Sequence, residues 1–458
     1  YPSVASTLVL QAAGSQGWSG PTKGLETYSS IAELDSDGVV TGMHQTVFLY
    51  DAKERLVKSL TQDPHGGSLL EETTYTFPGE PATVTTSYTH GSVTDILTQT
   101  LDYDIRGRQT ALTASLSAGG TTVAGGSVQY SYDALGRPSG STSTVTGGVT
   151  LTTEDSYTLR GNLASRTVKK GGVNLFAESL TYDGASGITG VTPSYTGLII
   201  KKQETWTFPG SVTDTHTEGY TYDYAGRMTR SGSATSPVAY TYDVRGNVLT
   251  AGGSSYTYSG DKLTALTPAG QSAVSFSHDA YGRMTADGLS GTTISYNHLN
   301  LPAKVSQNGN DLAKYSYLAS GSKSKAENRS GVGLVYRGSL IYRKASDGTL
   351  TLEGASMPEG RLTVNGVRWY VKDHLGSVRA VVDGSTGGLL AVTDYEAYGK
   401  DTANATASSY LSAAPAGETF RDHFTGKEDQ GPDFGTAYTD FGARQYSPAL
   451  RRWLVPTP

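Results

Sequence analysis

An aspartate beside a histidine can hold an imidazole for base catalysis, and Asp373-His374 supplies that couple. No nucleophile can be named to go with it, so a structural pair is the competing reading. The remaining histidines, His44, His65, His90, His216, His278, His298 and His423, form no pair at metal-ligand spacing, and no H-E-x-x-H phrase occurs. No catalytic residue, metal ligand or cofactor is therefore expected. Paired acids such as Asp429 and Asp433, or Glu71 and Glu72, suit glycoside hydrolysis only at a separation that the fold must supply. Arg451-Arg452 is expected to stack on Trp453 or pair with Asp440, and one basic pair makes no nucleic-acid patch. The commonest candidate is Tyr-Asp. A row of tyrosines could stack on sugars, with Asp and Arg bonding the hydroxyls. Alternatively each ring packs against the next hairpin and bonds a backbone group through its hydroxyl. Regular spacing favours packing.

That spacing is a repeat of Tyr, Asp, two variable residues, Gly, then Arg or Asn. It reads Tyr103-Asp104-Ile105-Arg106-Gly107-Arg108, Tyr132-Asp133-Ala134-Leu135-Gly136-Arg137, Tyr222-Asp223-Tyr224-Ala225-Gly226-Arg227 and Tyr242-Asp243-Val244-Arg245-Gly246-Asn247. His278-Asp279-Ala280-Tyr281-Gly282-Arg283 has His for Tyr, and looser copies begin at Tyr50, Tyr157, Tyr182, Tyr258 and Tyr296. From Tyr222 onward the copies recur every 16 to 20 residues. Alternation before each Tyr, as in Val238-Ala239-Tyr240-Thr241-Tyr242, predicts a strand with Tyr240 and Tyr242 on one face. Gly supplies a positive φ and Asp bonds forward into the turn, so each phrase predicts strand, turn, strand. One hairpin cannot bury its own apolar face, so neighbours must stack.

No stretch shows helical periodicity, and further hairpins are expected around Asp347-Gly348 and with Asn365-Gly366 as a two-residue turn. The expected class is all-β, with hairpins stacked into one continuous curved or spiralling sheet. Composition agrees: Gly is 57 of 458 residues, and Tyr at 30 far outnumbers Phe at 9 and Trp at 4. Cys is absent, which excludes disulfides, thiolate zinc sites and Cys nucleophiles without naming a compartment. No apolar run approaches the ~20 residues of a spanning helix. A net charge of −6 without basic runs makes nucleic acid and anionic membrane poor partners. The opening at Tyr1, without Met or signal peptide, suggests a processed product or part of something longer.

These phrases resemble the YD repeats of Rhs proteins, toxin-complex cocoon proteins and teneurins. Three later phrases resemble the Rhs-associated core, in the flavour of Bacteroidetes members. They are Asp373-His374-Leu375-Gly376-Ser377-Val378-Arg379, Phe424-Thr425-Gly426-Lys427-Glu428, and Phe441-Gly442-Ala443-Arg444-Gln445-Tyr446-Ser447-Pro448-Ala449-Leu450-Arg451-Arg452-Trp453. The resemblance covers roughly residues 50–458. It implies a β-strip spiralling into a hollow shell, closed at one end by the associated core. Many such shells cut off a C-terminal toxin using Asp residues just past the core. Here Ser447 and Arg451 stand where the family has Asp and Gly, and Thr457-Pro458 where it has Asp-Pro, so that chemistry is not assigned.

The expected organisation is a leading β segment over 1–49, a hairpin array over 50–330 and a closing core over 331–458. The strip is expected to form part of a larger shell, completed by another segment or chain, with a Ser/Thr-rich inner lining. The expected function is a container or carrier that encloses, protects or displays another polypeptide such as a C-terminal toxin. A surface adhesin binding glycans is the alternative, and a hydrolase ranks last. The resemblance implies a secreted or bacterial-surface location.

Overall fold

A computed structural model describes residues 24–189, 191 and 193–456, so most of the first half of the expected 1–49 segment lies outside the described residues. Strand material begins at Tyr28–Leu34, and Val40–Tyr50 runs directly into the first repeat turn. Among the described residues thirty-four strands join one antiparallel sheet, nearly all paired with their sequence neighbours, and four short C-terminal strands form a second sheet. The all-β expectation holds; the sole α-helix described is the single turn Gly431–Phe434. One turn falls a residue early. Thr363 pairs with Gly366, so Val364 and Asn365 form the two-residue turn predicted at Asn365-Gly366.

The repeat turn is built as its residues dictate. At 103–109 the N–H of Asp104 donates to the Arg108 carbonyl, and Gly107 donates back to the Asp104 carbonyl at φ 74°. Asp104 Oδ1 accepts from the N–H groups of Arg106 and Arg108 at 2.8 and 3.0 Å. Oδ2 takes the Arg108 Nε–H at 2.7 Å. Five hydrogen bonds of a tight turn are thus made locally. These turns follow every second strand, and the chain from Val212 to Tyr222 continues as one strand through Tyr220. All therefore lie along one rim of the sheet.

The strip returns on itself. Glu33 and Leu34 at the end of Tyr28–Leu34 pair with Leu318 and Tyr317 at the end of Asn310–Leu318. Ala319 N–H donates to the Ala32 carbonyl, and Lys304 meets Asp37 at 2.5 Å. A closed barrel pairs its strands along their length. Contact at two strand tips is instead a spiral step, and among the described residues no strand pairs with that side of residues 28–31. About 24 strands at ~4.8 Å each give a perimeter of about 115 Å, room for roughly two packed layers inside.

Those layers are the chain itself. Leu97, Leu116, Val128, Phe176 and Trp206 of one half pack against Leu340, Leu362, Trp369 and Val382. Tyr256, Leu266, Ile294 and Val305 of the other half pack with Phe434, Tyr438, Leu450 and Leu454. Trp369 lies so close to Gly126 that a Cβ there would sit 2.9 Å from its ring. The Ser/Thr-rich, low-charge inner lining is thereby corrected over residues 97–206, which residues 340–382 cover. There the inner face is apolar, crossed by buried ion pairs, and covered by the C-terminal third.

Candidate functional site

The repeat tyrosines clasp one hairpin to the one before it. The Arg108 guanidinium lies 4.4 Å from the Tyr132 ring centre, and the Tyr132 hydroxyl donates to the Gln109 carbonyl at 2.7 Å. Arg137 and the Pro138 carbonyl hold Tyr157 in the same way, at 4.3 and 2.5 Å. Arg227 with Met228 holds Tyr242, and Arg283 with Met284 holds Tyr296. Each tyrosine thus stacks on the Arg of the preceding turn and bonds the carbonyl of the residue after it. The packing reading is the one seen, directed to the previous hairpin rather than the next. His278, in the Tyr position, is pushed by burial, Arg452 and Lys262 down to about 4 and so is neutral at pH 7. The variable tips Ile105, Leu135, Tyr224, Val244 and Tyr281 stand fully or largely exposed along that rim.

Asp373 and His374 engage different partners rather than each other. Asp373 Oδ1 accepts the N–H groups of Leu375 and Ser377, both at 2.9 Å, and Gly376 has φ 80°. This is the Tyr-Asp turn again, with Lys372 for Tyr and Ser377 for Arg. Asn297 and Asn328 cap equivalent turns with Asn for Asp. At Asp373 and Asn328 the sequence hides this kinship, because Lys372 and Glu327 stand in place of Tyr. The imidazole instead meets Glu178 from the facing wall, Nδ1 to Oε1 at 2.7 Å, while the His374 N–H reaches Oε2 at 2.9 Å. Burial holds the Asp373 carboxyl above the ordinary range. A cavity of about 110 Å³ beside His374, lined by Tyr220, Tyr222 and Tyr395, falls well below the ~300 Å³ at which small-molecule sites begin. Arg379, two residues beyond Ser377, reaches across to Glu204, to Asp394 and to the Thr393 carbonyl.

The other two phrases, at 424–428 and 441–453, pack against the main sheet and against each other. Glu428 accepts the Tyr336 hydroxyl at 2.8 Å and, with Asp440, clasps buried Lys323 at 3.2 and 2.7 Å. Gly426 and Gly442 take positive φ at turns, and Ala443 is exposed. Lys427 lies over Phe441, and Arg444 stacks 4.1 Å from Trp453, against which Tyr446 sits edge-on. The expected Arg451-Arg452 contacts are corrected. Arg451 bonds the Tyr256 hydroxyl at 2.7 Å, and Arg452 lies over Tyr258 and bonds the Asp261 carbonyl, because Lys323 occupies Asp440. Arg451 has φ 59°, a left-handed conformation that glycine adopts at the least cost.

Of the acids noted in sequence, Asp433, Glu72 and Glu71 are engaged by other side chains. Asp433 is held by Arg343 and Arg421 at 2.7 and 2.8 Å, and those same arginines, with Arg361, converge on Glu353. Burial opposes ionisation of Glu353, but the three guanidiniums outweigh it and bring it down to about 2. Glu72 pairs with Lys58 and Glu71 with Ser59. One grouping was invisible in sequence. Asp401, His423 and Asp429 bring one ligand atom each within 4.8 Å of one another. Spacings of 22 and 6 residues carry no recognisable pattern.

No family model and no curated protein sequence matches the chain. Among solved structures, TcdB2-TccC3-TEV matches 93% of this chain with a TM-score of 0.53 at 14% identity. TcdB2-TccC3 without its hypervariable C-terminal region, and TcdB2-TccC3 itself, align over 90% and 92% at 15% and 16% identity, each with a TM-score of 0.40. The chain spans about a quarter of the length of these structures: 26%, 26% and 27%. In fold, the chain is an antiparallel β-shell similar to that of TcdB2-TccC3-TEV over nearly its whole length, as the Rhs resemblance implies.

Proposed function

We propose that this chain is a wall-and-plug segment of a larger Rhs-type shell that encloses or displays another polypeptide. The spiral step carries the reading. Among the described residues, a strip that meets itself at two strand tips leaves the edge of residues 28–31 without a partner strand, and an unpaired edge invites pairing. The match to about a quarter of TcdB2-TccC3-TEV supports a larger whole. Because the C-terminal third fills this turn of the spiral, the passenger belongs in the remainder of the shell, with residues 331–458 as its closing end. Placement outside a bacterial cell goes with this proposal. The test is light-scattering mass of the natively expressed particle with mass spectrometry of every chain in it. A fixed-ratio companion polypeptide is expected; a bare single chain overturns the reading.

Glycan binding has one observation in its favour. A cleft of about 350 Å³ is lined by Tyr130, Tyr132 and Tyr370 beside Asp155, Arg166 and Glu359. Its charged arms are engaged, Asp155 with Arg166 through two bonds of 2.8 Å, and the repeat tyrosines use their hydroxyls on carbonyls. Saturation-transfer NMR against a panel of bacterial oligosaccharides, with Tyr130→Ala as control, decides it.

A further inference from the structure

We propose that Asp401, His423 and Asp429 form a divalent-cation site of the zinc class, which pins the closing segment to the end of the main sheet. The three come from separate pieces of backbone. Asp401 opens the strand Asp401–Ala403, whose partner residue is Tyr395. His423 precedes the turn Phe424–Gly426, and Asp429 ends the strand Glu428–Asp429. Main-chain bonds fix their relation: Asp429 N–H to the Arg421 carbonyl at 2.7 Å, His423 N–H to Lys427 at 2.9 Å, and Val378 N–H to His423 at 3.0 Å. The Gly431 N–H donates to Asp429 Oδ1 at 3.0 Å, turning Oδ2 toward the imidazole.

The imidazole is oriented as a ligand. Its Nε2 lies 3.1 Å from the Phe420 carbonyl, which can only accept, so Nε2 carries a proton. Nδ1 then faces Asp401 Oδ2 at 2.5 Å and Asp429 Oδ2 at 3.8 Å. In the neutral ring a lone pair would point at two carboxylates, and only a cation or a second proton resolves that. A backbone carbonyl holding one ring nitrogen while the other binds is the usual support of a metal-ligating histidine. Tetrahedral ligands ~2.1 Å from zinc stand about 3.4 Å apart, between the two separations seen. The Asp401 side chain is 39% exposed, which leaves solvent to complete the coordination.

Charge sharpens the argument. Nearby, Glu353 is met by three arginines, Asp433 by two, and Lys323 serves Glu428 and Asp440. Among the described residues the only side chain paired ionically with Asp401 or Asp429 is His423. A mixed nitrogen and carboxylate set without thiolate suits Zn²⁺ or Mn²⁺ better than a soft ion.

The experiment is isothermal titration calorimetry of the chelator-washed chain with ZnCl₂, and visible absorption after CoCl₂ addition. One saturable zinc site per chain is expected, with a Co²⁺ d–d band. Asp401→Asn, at an exposed position that circular dichroism should show folded, is expected to weaken binding at least tenfold. His423→Gln is expected to change the cobalt band. His44→Ala, near the separate Glu33-His65 contact, is expected to leave both unchanged. The proposal is overturned by absence of saturable zinc heat, by binding undiminished in Asp401→Asn, or by a cobalt spectrum indifferent to His423→Gln. None of these outcomes depends on the shell reading.

Discussion

Replacing Glu353 by Gln should loosen the C-terminal segment around Arg421. The side chain is 10% exposed and receives Arg361, at 5%, and Arg421, at 1%. At an effective dielectric near 20, a unit-charge pair ~3 Å apart is worth about 5 kcal/mol before desolvation is charged against it. Neutralising one partner of such a buried group leaves the others uncompensated, at a cost of about 3–5 kcal/mol. Asp433 still serves Arg343 and Arg421, but Arg361 keeps only Asp422 at 4.0 Å. The depression of the carboxyl's pKa by the same guanidiniums gives a second figure. The displacement from 4.5 to about 2 in the folded state corresponds to ~3 kcal/mol. Both routes place the loss near 3–4 kcal/mol, and since 1.4 kcal/mol is about tenfold, exchange should accelerate roughly 300-fold. The amides to follow are His423 and Asp429, bonded to the Lys427 and Arg421 carbonyls. Because the folded value is depressed, the stabilisation is complete above about pH 4.5 and fades as pH falls toward 2. The wild type should lose protection over that window and Glu353→Gln should show little further change. Acceleration below about tenfold at both amides would refute this account. So would a double variant, Glu353→Gln with Arg361→Met, no better protected than the single one.

Three further outcomes follow from the packing. Tyr132→Phe removes the 2.7 Å bond to the Gln109 carbonyl and should cost about 1 kcal/mol in urea unfolding, while Arg108→Ala costs a further ~0.5–1 by losing the ring contact. Gly126→Ala drives a methyl into Trp369 at 2.9 Å and should destabilise by about 1–3 kcal/mol, with a blue- or red-shifted Trp emission as the local sign. His374→Ala leaves Glu178, 2% exposed, with one main-chain donor in place of two partners. A loss of about 2–3 kcal/mol is expected by thermal unfolding, restored in part by Glu178→Gln.

The turn chemistry was legible wherever it is local. Asp four residues before Arg or Asn, with Gly between, specifies hydrogen bonds that need no partner strand, and Asp104, Asp133, Asp223, Asp243 and Asp279 all make them. The same turn at Asp373 was read as a possible catalytic couple because its neighbours in sequence differ, although its backbone does not. What joins distant parts left no periodic trace. Lys323 meets Asp440 across 117 positions, and Ser324 meets buried Glu33 across 291. Such pairs are selected by burial after the strip has curled, and nothing near either residue announces the other. The turn at Val364-Asn365 shows the same limit on a small scale: register, set by Thr363 against Gly366, overrode the preference for Asn-Gly.

The filling of the spiral by its own C-terminal third imposes an order in time. A ribosome adding about 5–20 residues per second completes the wall over residues 81–208 on the order of ten seconds before residues 333–395 emerge to cover it. Through that interval Leu97, Leu116, Phe176 and Trp206 have no native partner from the later strands. Contacts spanning hundreds of positions also make folding slow. The nascent wall is consequently the stage at which the polypeptide is most exposed to aggregation, and a chaperone that holds apolar β-surface should bind truncations ending before residue 333 far more than the full chain.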